Sequence, residues 1–186
     1  MTNGTSPEGG RRTASFAKLS NVADAYDHAV LGYAAGRIEQ VFGRIPHNCE
    51  SPIEVGLLKG FIGLWLFDRS IKFDGLDGSP LETEWSARVY TQHQVGRYRV
   101  DFAIRVEAST AGKQLSAWIA VECDGHEFHE KTREQAARDK ARDREITAAS
   151  YRILRFTGSE IYRDCVGCAR QAINLAANLV DEWLGQ

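Results

Sequence analysis

The spacing of hydrophobic residues predicts two helices in the first third of the chain. Apolar residues recur every three to four positions over 21–45 and again over 51–67, a period typical of helices. In the second segment Ser51 is a predicted N-cap, Pro52 takes the first helical position and Glu54 completes a capping box. These features predict a largely buried second helix.

The pattern then changes from a helical period to an alternating one. Residues 68–82 are rich in turn formers and predict a loop. Alternating apolar and polar residues then predict strands over 85–92 and 97–107, joined by a tight turn near Gly96, and a continuous apolar run predicts a third strand over 116–123. The third strand is apolar throughout, so we expect it at the centre of the sheet.

Alternation also assigns the side chains of these strands to faces of the sheet. In the second strand the apolar face holds Tyr98, Val100, Phe102, Ile104 and Val106. Its polar face holds Arg97, Arg99, Asp101 and Arg105. In the third strand, one face holds Trp118, Ala120, Glu122 and Asp124. Asp101 is therefore predicted on the polar face of the second strand, and Glu122 shares a face with Asp124 in the third.

The last third of the chain predicts a helix, a strand and a helix. One helix begins at Thr132, and a short strand follows at 151–156. Thr157 and Glu160 form a capping box at the start of a long amphipathic helix. The third and fourth strands are separated by a helix, which predicts a right-handed parallel crossover. The order of elements predicts an α/β fold.

Composition narrows the class of protein. The chain has 186 residues, of which 43% are hydrophobic and 26% charged, and this suits one globular domain, predicted over 19–186. Residues 1–18 are predicted to be a disordered leader. No apolar run is long enough for a membrane span or a secretory signal, so we expect a cytoplasmic protein with four free cysteines. A net charge of −2 means that any nucleic-acid contact needs a local basic patch.

The acidic residues of the second and third strands suggest chemistry. If Asp101 and Glu122 point to one face, two carboxylates lie side by side and repel each other unless a cation bridges them. A hard cation such as Mg²⁺ prefers oxygen-rich, incompletely filled sites, which leave room for water and a phosphate. The residues alone therefore favour a metal-dependent phosphodiesterase.

Four sequence stretches together resemble the PD-(D/E)XK nuclease superfamily. They are RYRVDFAI, VECDGHEFH, RDKARDREI and YRILRFTGSEI, within a resemblance that covers about 50–165. More narrowly, they are similar to an uncharacterised branch related to very short patch repair endonucleases. The resemblance implies a restriction-endonuclease-like core of helix, three antiparallel strands, helix, parallel fourth strand and helix. The first predicted helix would be an N-terminal addition.

The resemblance implies a role for each acidic residue. Asp101 and Glu122 match the metal-binding acids of the superfamily, and the backbone carbonyl of Cys123 would add a third ligand to Mg²⁺ or Mn²⁺. Glu54 matches a glutamate on the first core helix that completes the active site in some members. The stretch DGHEFH implies active-site positions for Asp124 and His129.

One position departs from the superfamily. A lysine usually stands two residues after the second acid, but here that residue is Asp124, which cannot supply a positive charge. Either Asp124 joins the metal site while His126, His129 or Lys140 takes the role of the lysine, or the domain binds without cleaving.

Nucleic-acid contacts are expected from residues near the second strand and on the following helix. The candidates are Gln92, Gln94, Arg97, Arg99 and Lys140. The glutamines would read base edges or satisfy an edge strand, and the cations would contact phosphates or form ion pairs. DNA is the expected partner, with RNA left open. The terminal helix either packs on the sheet or pairs in a homodimer.

We therefore expect a metal-dependent endonuclease that hydrolyses phosphodiester bonds. Asp101 and Glu122 would hold the cation, Asp124 would assist, and His129 would act as general base or as donor to the leaving oxygen. Two alternatives stay open. One is an inactive nucleic-acid or protein-binding module with the same fold, and the other is a hydrolase of small phosphoesters in a closed pocket.

Overall fold

The computed structural model describes residues 28–45, 48–68, 70–76, 85–110, 113–125 and 133–184. The chain divides into two compact units, Met1–Arg37 and Ile38–Gln186. In the first unit the described residues are helical. The leader predicted at 1–18 lies outside the described residues, and the extent of the domain predicted over 19–186 stays a prediction.

The described residues form four helices and five strands, which confirms the α/β class. In chain order the elements are α1 (His28–Phe42), α2 (Pro52–Trp65), β1 (Ile71–Phe73), β2 (Trp85–Val95), β3 (Tyr98–Thr110), β4 (Lys113–Asp124), α3 (Arg133–Ala148), β5 (Tyr151–Thr157) and α4 (Gly158–Leu184). The strands follow the order β1-β2-β3-β4-β5 in one sheet. β2, β3 and β4 pair antiparallel, whereas β1 pairs with β2 and β5 pairs with β4 in parallel.

Two details of the sheet differ from the sequence prediction. The segment predicted as a loop contains β1, a three-residue edge strand in which Ile71 and Phe73 are buried. The sequence did not reveal this strand, because two apolar residues in three positions are too few to establish an alternating pattern. β4 was expected at the centre, but β3 is the central strand and β4 lies between β3 and β5. Both strands are internal, which explains why β4 is apolar.

Helices cover the sheet on both faces and create two hydrophobic clusters. The larger cluster lies under α2 and α4, where Phe61 of α2 meets Phe102 of β3 with ring centroids 5.7 Å apart. The smaller cluster is built around Ile146 of α3 with Ala103 and Ala120 from the sheet. The terminal helix α4 therefore packs on the sheet and on α2, one of the two arrangements expected for it.

The capping boxes predicted at Ser51 and Thr157 are confirmed, whereas the helix start predicted at Thr132 lies outside the described residues. At the start of α2, the Glu54 amide donates to the Ser51 hydroxyl at 3.3 Å, and that hydroxyl donates to the Glu54 carboxylate at 2.7 Å. At the start of α4, the Thr157 amide and hydroxyl both donate to Glu160 at 2.8 Å. Local sequence therefore determines where both helices begin.

α2 and α4 approach each other so closely that one position admits only glycine. A Cβ atom on Gly60 would lie 2.4 Å from the backbone oxygen of Cys165. Beside this contact α4 breaks at Asp164, whose φ and ψ are −155° and 75°. The Asp164 side chain accepts a hydrogen bond from the Gly167 amide at 2.7 Å, so it caps the part of α4 that follows.

Two glycines of α2 allow this contact to be tested. Gly60→Ala should lower the free energy of unfolding by about 2–3 kcal/mol, because backbone atoms of α4 must move to admit the methyl group. Gly63→Ala is the matched control, since its Cβ would meet side chains only at 3.9 Å and 4.0 Å. It should leave stability unchanged or raise it by up to about 1 kcal/mol. Urea unfolding of both variants checks the pair, and equal effects would contradict the close contact.

Candidate functional site

β2 departs from regular strand geometry at Gln92, whose φ is 49°. The residues on either side of Gln92 pair with Phe102 and Val100 of β3, which places Gln92 opposite Asp101. A positive φ at a residue other than glycine costs on the order of 1 kcal/mol. The sheet is therefore distorted where two predicted site residues face each other.

In β3, the alternation of side chains between the two faces of the sheet shifts at Asp101, the position opposite Gln92. Val100 and Tyr98 pack with the smaller cluster, together with Ala103, whereas Phe102 packs in the larger cluster. The prediction that Tyr98, Val100 and Phe102 share one face was therefore wrong, because alternation shifts at Asp101. Simple alternation fails where the backbone is irregular.

The Asp101 carboxylate is held against β4. Phe102 of β3 pairs with Val121 of β4, and Asp101 and Glu122 are the next residues of these two strands. The Cys123 amide donates to Asp101 Oδ2 at 2.7 Å. Burial raises the pKa of the Asp101 carboxyl, the Cys123 amide opposes that shift, and the Glu54 carboxylate adds to it. Asp101 is therefore an acid whose charge costs more than it would in water.

Glu122 is more deeply buried, with 6% of its surface exposed. Arg142 of α3 donates to its Oε1 at 2.6 Å. Burial raises the pKa of the Glu122 carboxyl to about 7, while Arg142 opposes this shift and the Asp101 carboxylate adds to it. Burial outweighs the nearby guanidinium, so the pKa of the Glu122 carboxyl lies near neutral pH.

Glu54 brings a third carboxylate from α2 and is also 6% exposed. Besides its capping contacts with Ser51, its Oε2 accepts from the Glu50 amide at 2.9 Å and from Gln92 Nε2 at 2.6 Å. Its charge acts on Asp101, whose pKa it raises. Glu54 therefore caps the helix and contributes negative charge to the site.

Two thiols lie beside these carboxylates. Burial raises the pKa of Cys49 to about 11, with further contributions from Glu54 and Asp101. Burial also raises the pKa of Cys123, again helped by Asp101 and Glu54. Both thiols are therefore neutral at physiological pH and line the site without adding charge. The sequence prediction did not include Cys49, because nothing near it in the chain indicates that it lies beside β3.

Arg142 is the other residue that the sequence prediction did not single out. Its guanidinium donates to Glu122 and, at 2.9 Å, to the backbone carbonyl of Arg99. It lies in the stretch RDKARDREI, where the sequence prediction named only Lys140 as a candidate site residue. One signal was available: Ile146 is the large apolar residue on this helix, and Arg142 precedes it by one turn on the same face.

Other predicted site residues lie outside this cluster of carboxylates. Asp124 is exposed at the end of β4, although its charge still raises the pKa of Asp101. Gln94 is exposed and donates to the Gly96 carbonyl at 2.9 Å in the tight turn predicted there. Lys140 is exposed on α3. His126 and His129 lie outside the described residues.

The predicted arginines are exposed and paired with acids. Arg97 lies in the turn between β2 and β3 rather than in a strand, and its guanidinium contacts Glu145 of α3. Arg99 contacts Glu50 at 2.6 Å. Ion pairs between exposed side chains contribute little free energy, typically 0–1 kcal/mol. Both arginines can therefore exchange their partners for another anion.

The donor set is compatible with Mg²⁺. Among the residues that the structure describes, no three His, Cys, Asp or Glu side chains group closely enough to form a metal site. Mg²⁺ keeps several waters and uses one or two carboxylates together with substrate phosphates. Asp101 and Glu122, two desolvated acids on the neighbouring strands β3 and β4, fit that mode.

The family assignment follows from a match across the sheet and its helices. The REase_MTES_1575 family, a restriction-endonuclease-like family, matches residues 82–175. The chain belongs to this family. The matched segment of this restriction-endonuclease-like domain contains Asp101, Glu122 and Arg142, whereas Glu54 precedes it. No curated protein and no solved structure matches the chain.

Membership confirms the restriction-endonuclease-like domain that the sequence motifs predicted, and it supports a nuclease-like function. The matched residues overlap the region of 50–165 where the resemblance was found. Of the helices in the described ranges, none is long and apolar enough to span a membrane.

The shifted pKa of Glu122 predicts a pH-dependent stability. The folded domain binds this proton more tightly than the unfolded chain, since the pKa is about 7 rather than 4.5. The free energy of unfolding should therefore fall as the pH rises from about 4.5 to about 7, and level off above. The fall is a few kcal/mol at most, because one pKa unit corresponds to about 1.4 kcal/mol.

Glu122→Gln should reduce this slope, because the variant has no proton to release at that position. Glu107→Gln on β3 serves as the control for replacing a glutamate, and it should keep the wild-type slope since Glu122 is intact. Urea unfolding of the metal-free proteins at pH 5, 6, 7 and 8 measures the effect. An identical slope in Glu122→Gln would contradict the burial of an ionisable Glu122.

Proposed function

We propose that this protein is a metal-dependent endonuclease that hydrolyses phosphodiester bonds in DNA. The observation that carries the proposal is the pair of Asp101 and Glu122, two desolvated acids on neighbouring strands of a restriction-endonuclease-like domain, with the Asp101 charge acting on Glu122. Removing an ionised carboxylate from water is unfavourable, so desolvated carboxylates are typical of sites that bind a cation. The similarity of the sequence motifs to very short patch repair endonucleases supports DNA as the substrate.

Asp101, Glu122 and the backbone carbonyl of Cys123 would hold Mg²⁺ or Mn²⁺. Such an ion supplies positive charge at the scissile phosphate and makes a water molecule more acidic. Glu54 adds negative charge behind Asp101, which strengthens the attraction of the pair for a cation. Asp124 lies at the exposed end of β4, where it would orient water at the edge of the site.

Arg142 would supply the positive charge that the superfamily usually places on a lysine. It reaches the site from α3, its side chain is 26% exposed, and it contacts Glu122 directly. A guanidinium is always charged and forms strong hydrogen bonds to phosphate oxygens. Arg142 therefore compensates for the aspartate at position 124, in a role that the sequence alone assigned to His126, His129 or Lys140.

DNA would approach along the exposed side of the site. Arg97 and Arg99 are exposed, and their surface ion pairs exchange readily for phosphate. Lys140 is exposed on the same helix as Arg142. Such contacts position the DNA backbone without reading sequence. Gln94, exposed beside the turn, is the remaining candidate for a base contact.

A binding module without catalysis is the second candidate function. It is favoured by one observation, the contact of 2.6 Å between Arg142 and Glu122. In that arrangement the guanidinium neutralises the carboxylate that would otherwise bind a metal. The same exposed arginines would then retain DNA that the protein does not cleave.

Nicking of a supercoiled plasmid tests the proposal. Wild-type protein should nick the plasmid with Mg²⁺ or Mn²⁺, and EDTA should stop the reaction. Asp101→Ala and Glu122→Ala should each slow nicking by about 100-fold or more, because each removes a negative ligand from the site. Asp181→Ala, an exposed acid near the end of α4, is the matched control and should nick at the wild-type rate.

Nicking by Asp101→Ala at the wild-type rate would rule out the assigned site. DNA that is retained in a binding assay but never nicked, whichever metal is added, would favour the binding module.

The role of Arg142 gives a separate prediction. Arg142→Ala should slow nicking by about 100-fold, and Arg142→Lys should retain part of the activity because it keeps the charge. Arg144→Ala, an exposed arginine on the same helix, controls for the loss of one positive charge and should leave the rate unchanged. If Arg144→Ala and Arg142→Ala slow nicking equally, Arg142 contributes only general attraction for DNA.

A further inference from the structure

Gln92 has a backbone conformation that its place in the fold does not require. Among the described residues, the non-glycine residues with positive φ are Gln92 and Ser150, at 49° and 67°. Ser150 follows α3 in the turn before β5, where left-handed residues commonly end helices. Gln92 instead lies inside β2, where any regular residue would have negative φ. The strain at Gln92 therefore calls for a compensating interaction.

The faces on which successive side chains of β2 lie show the structural effect of the positive φ at Gln92. Val89 packs under α2, and the next residue, Tyr90, packs on the α3 face of the sheet. Regular alternation would place position 92 on the α3 face as well. Instead, the Gln92 amide reaches Glu54 on α2 with a contact of 2.6 Å. The left-handed backbone thus carries this side chain to the opposite face.

Glu54 does not need this donor in order to cap its helix. The Ser51 hydroxyl and the Glu50 amide already donate to its two oxygens. Gln92 adds a third hydrogen bond, from β2, on a carboxylate that is only 6% exposed. An amide is neutral, so it fixes the position of Glu54 without cancelling the negative charge that acts on Asp101.

We propose that Gln92 is a positioning residue that holds the Glu54 carboxylate beside Asp101. This role explains why the domain tolerates a left-handed residue inside β2. This inference rests on the proposed nuclease function, since it assigns Gln92 to the same site. It also replaces the expectation that Gln92 reads a base edge, because its amide nitrogen is already bonded to Glu54.

Two substitutions by glycine distinguish a positioning role of Gln92 from a role in supporting the fold. Gln92→Gly removes the amide and relieves the positive φ, and Ser150→Gly relieves positive φ away from the site. Both variants should have a Tm equal to or above that of the wild type. Gln92→Gly should lower kcat for plasmid nicking by about 10- to 100-fold with KM for DNA unchanged, whereas Ser150→Gly should keep both constants.

A second readout does not depend on turnover. Mn²⁺ should raise the Tm of the wild type and of Ser150→Gly, and the concentration needed should be about tenfold higher for Gln92→Gly. Gln92→Asn keeps an amide in a residue that tolerates positive φ, but its side chain is one methylene shorter. It should fold normally and show an intermediate loss of kcat.

The remaining outcomes would each assign Gln92 a different role or overturn the proposal. A Tm of Gln92→Gly well below that of Ser150→Gly would show that Gln92 supports the fold, and a change in KM alone would show that it contacts DNA. Unchanged kcat and Mn²⁺ response in Gln92→Gly, with an active wild type, would overturn this inference and leave the proposed function intact. A wild type that neither nicks nor responds to Mn²⁺ would overturn both.

Discussion

The site depends on the desolvation of carboxylates on the neighbouring strands β3 and β4. Burial, helped by the Asp101 carboxylate, raises the pKa of Glu122 to about 7 against the opposing effect of a guanidinium 2.6 Å away. The Cys123 amide offsets part of the same cost at Asp101 through one hydrogen bond. Arg142 comes from α3, the Cys123 amide from β4 and Glu54 from α2, so the sheet and both helices must be in place before the site exists.

The layers of the domain contribute different charges to this site. α2 begins beside the sheet and brings Glu54, while α3 covers the other face and brings Arg142. Gln92 of β2 donates to Glu54 on the α2 side of the sheet. Asp101 and Glu122 are thus flanked by an acid from α2 and a cation from α3. In the proposed hydrolysis of a phosphodiester, the acid would help to attract a metal and the cation would stabilise charge on the phosphate.

The sequence predicted the parts of this architecture that depend on local patterns. Capping boxes located the starts of α2 and α4 through Ser51 and Thr157, and the order of the strands placed Asp101 and Glu122 on neighbouring strands. It did not predict Gln92 as a partner of Glu54 or Cys49 as a neighbour of Asp101. Those contacts join residues far apart in the chain, and the first requires a backbone conformation that alternation excludes.

The close contact between Gly60 and the backbone at Cys165 has a consequence for how this chain can vary in length. The contact fixes the rotation of α2 about its own axis, and Glu54 lies six residues earlier on the same helix, which is about 1.7 turns. Inserting or deleting one residue between Glu54 and Gly60 would rotate Glu54 away from Asp101 by about 100°. Length changes in α2 should therefore be confined to the part that follows Gly60, because Ser51 and Glu54 already fix its start.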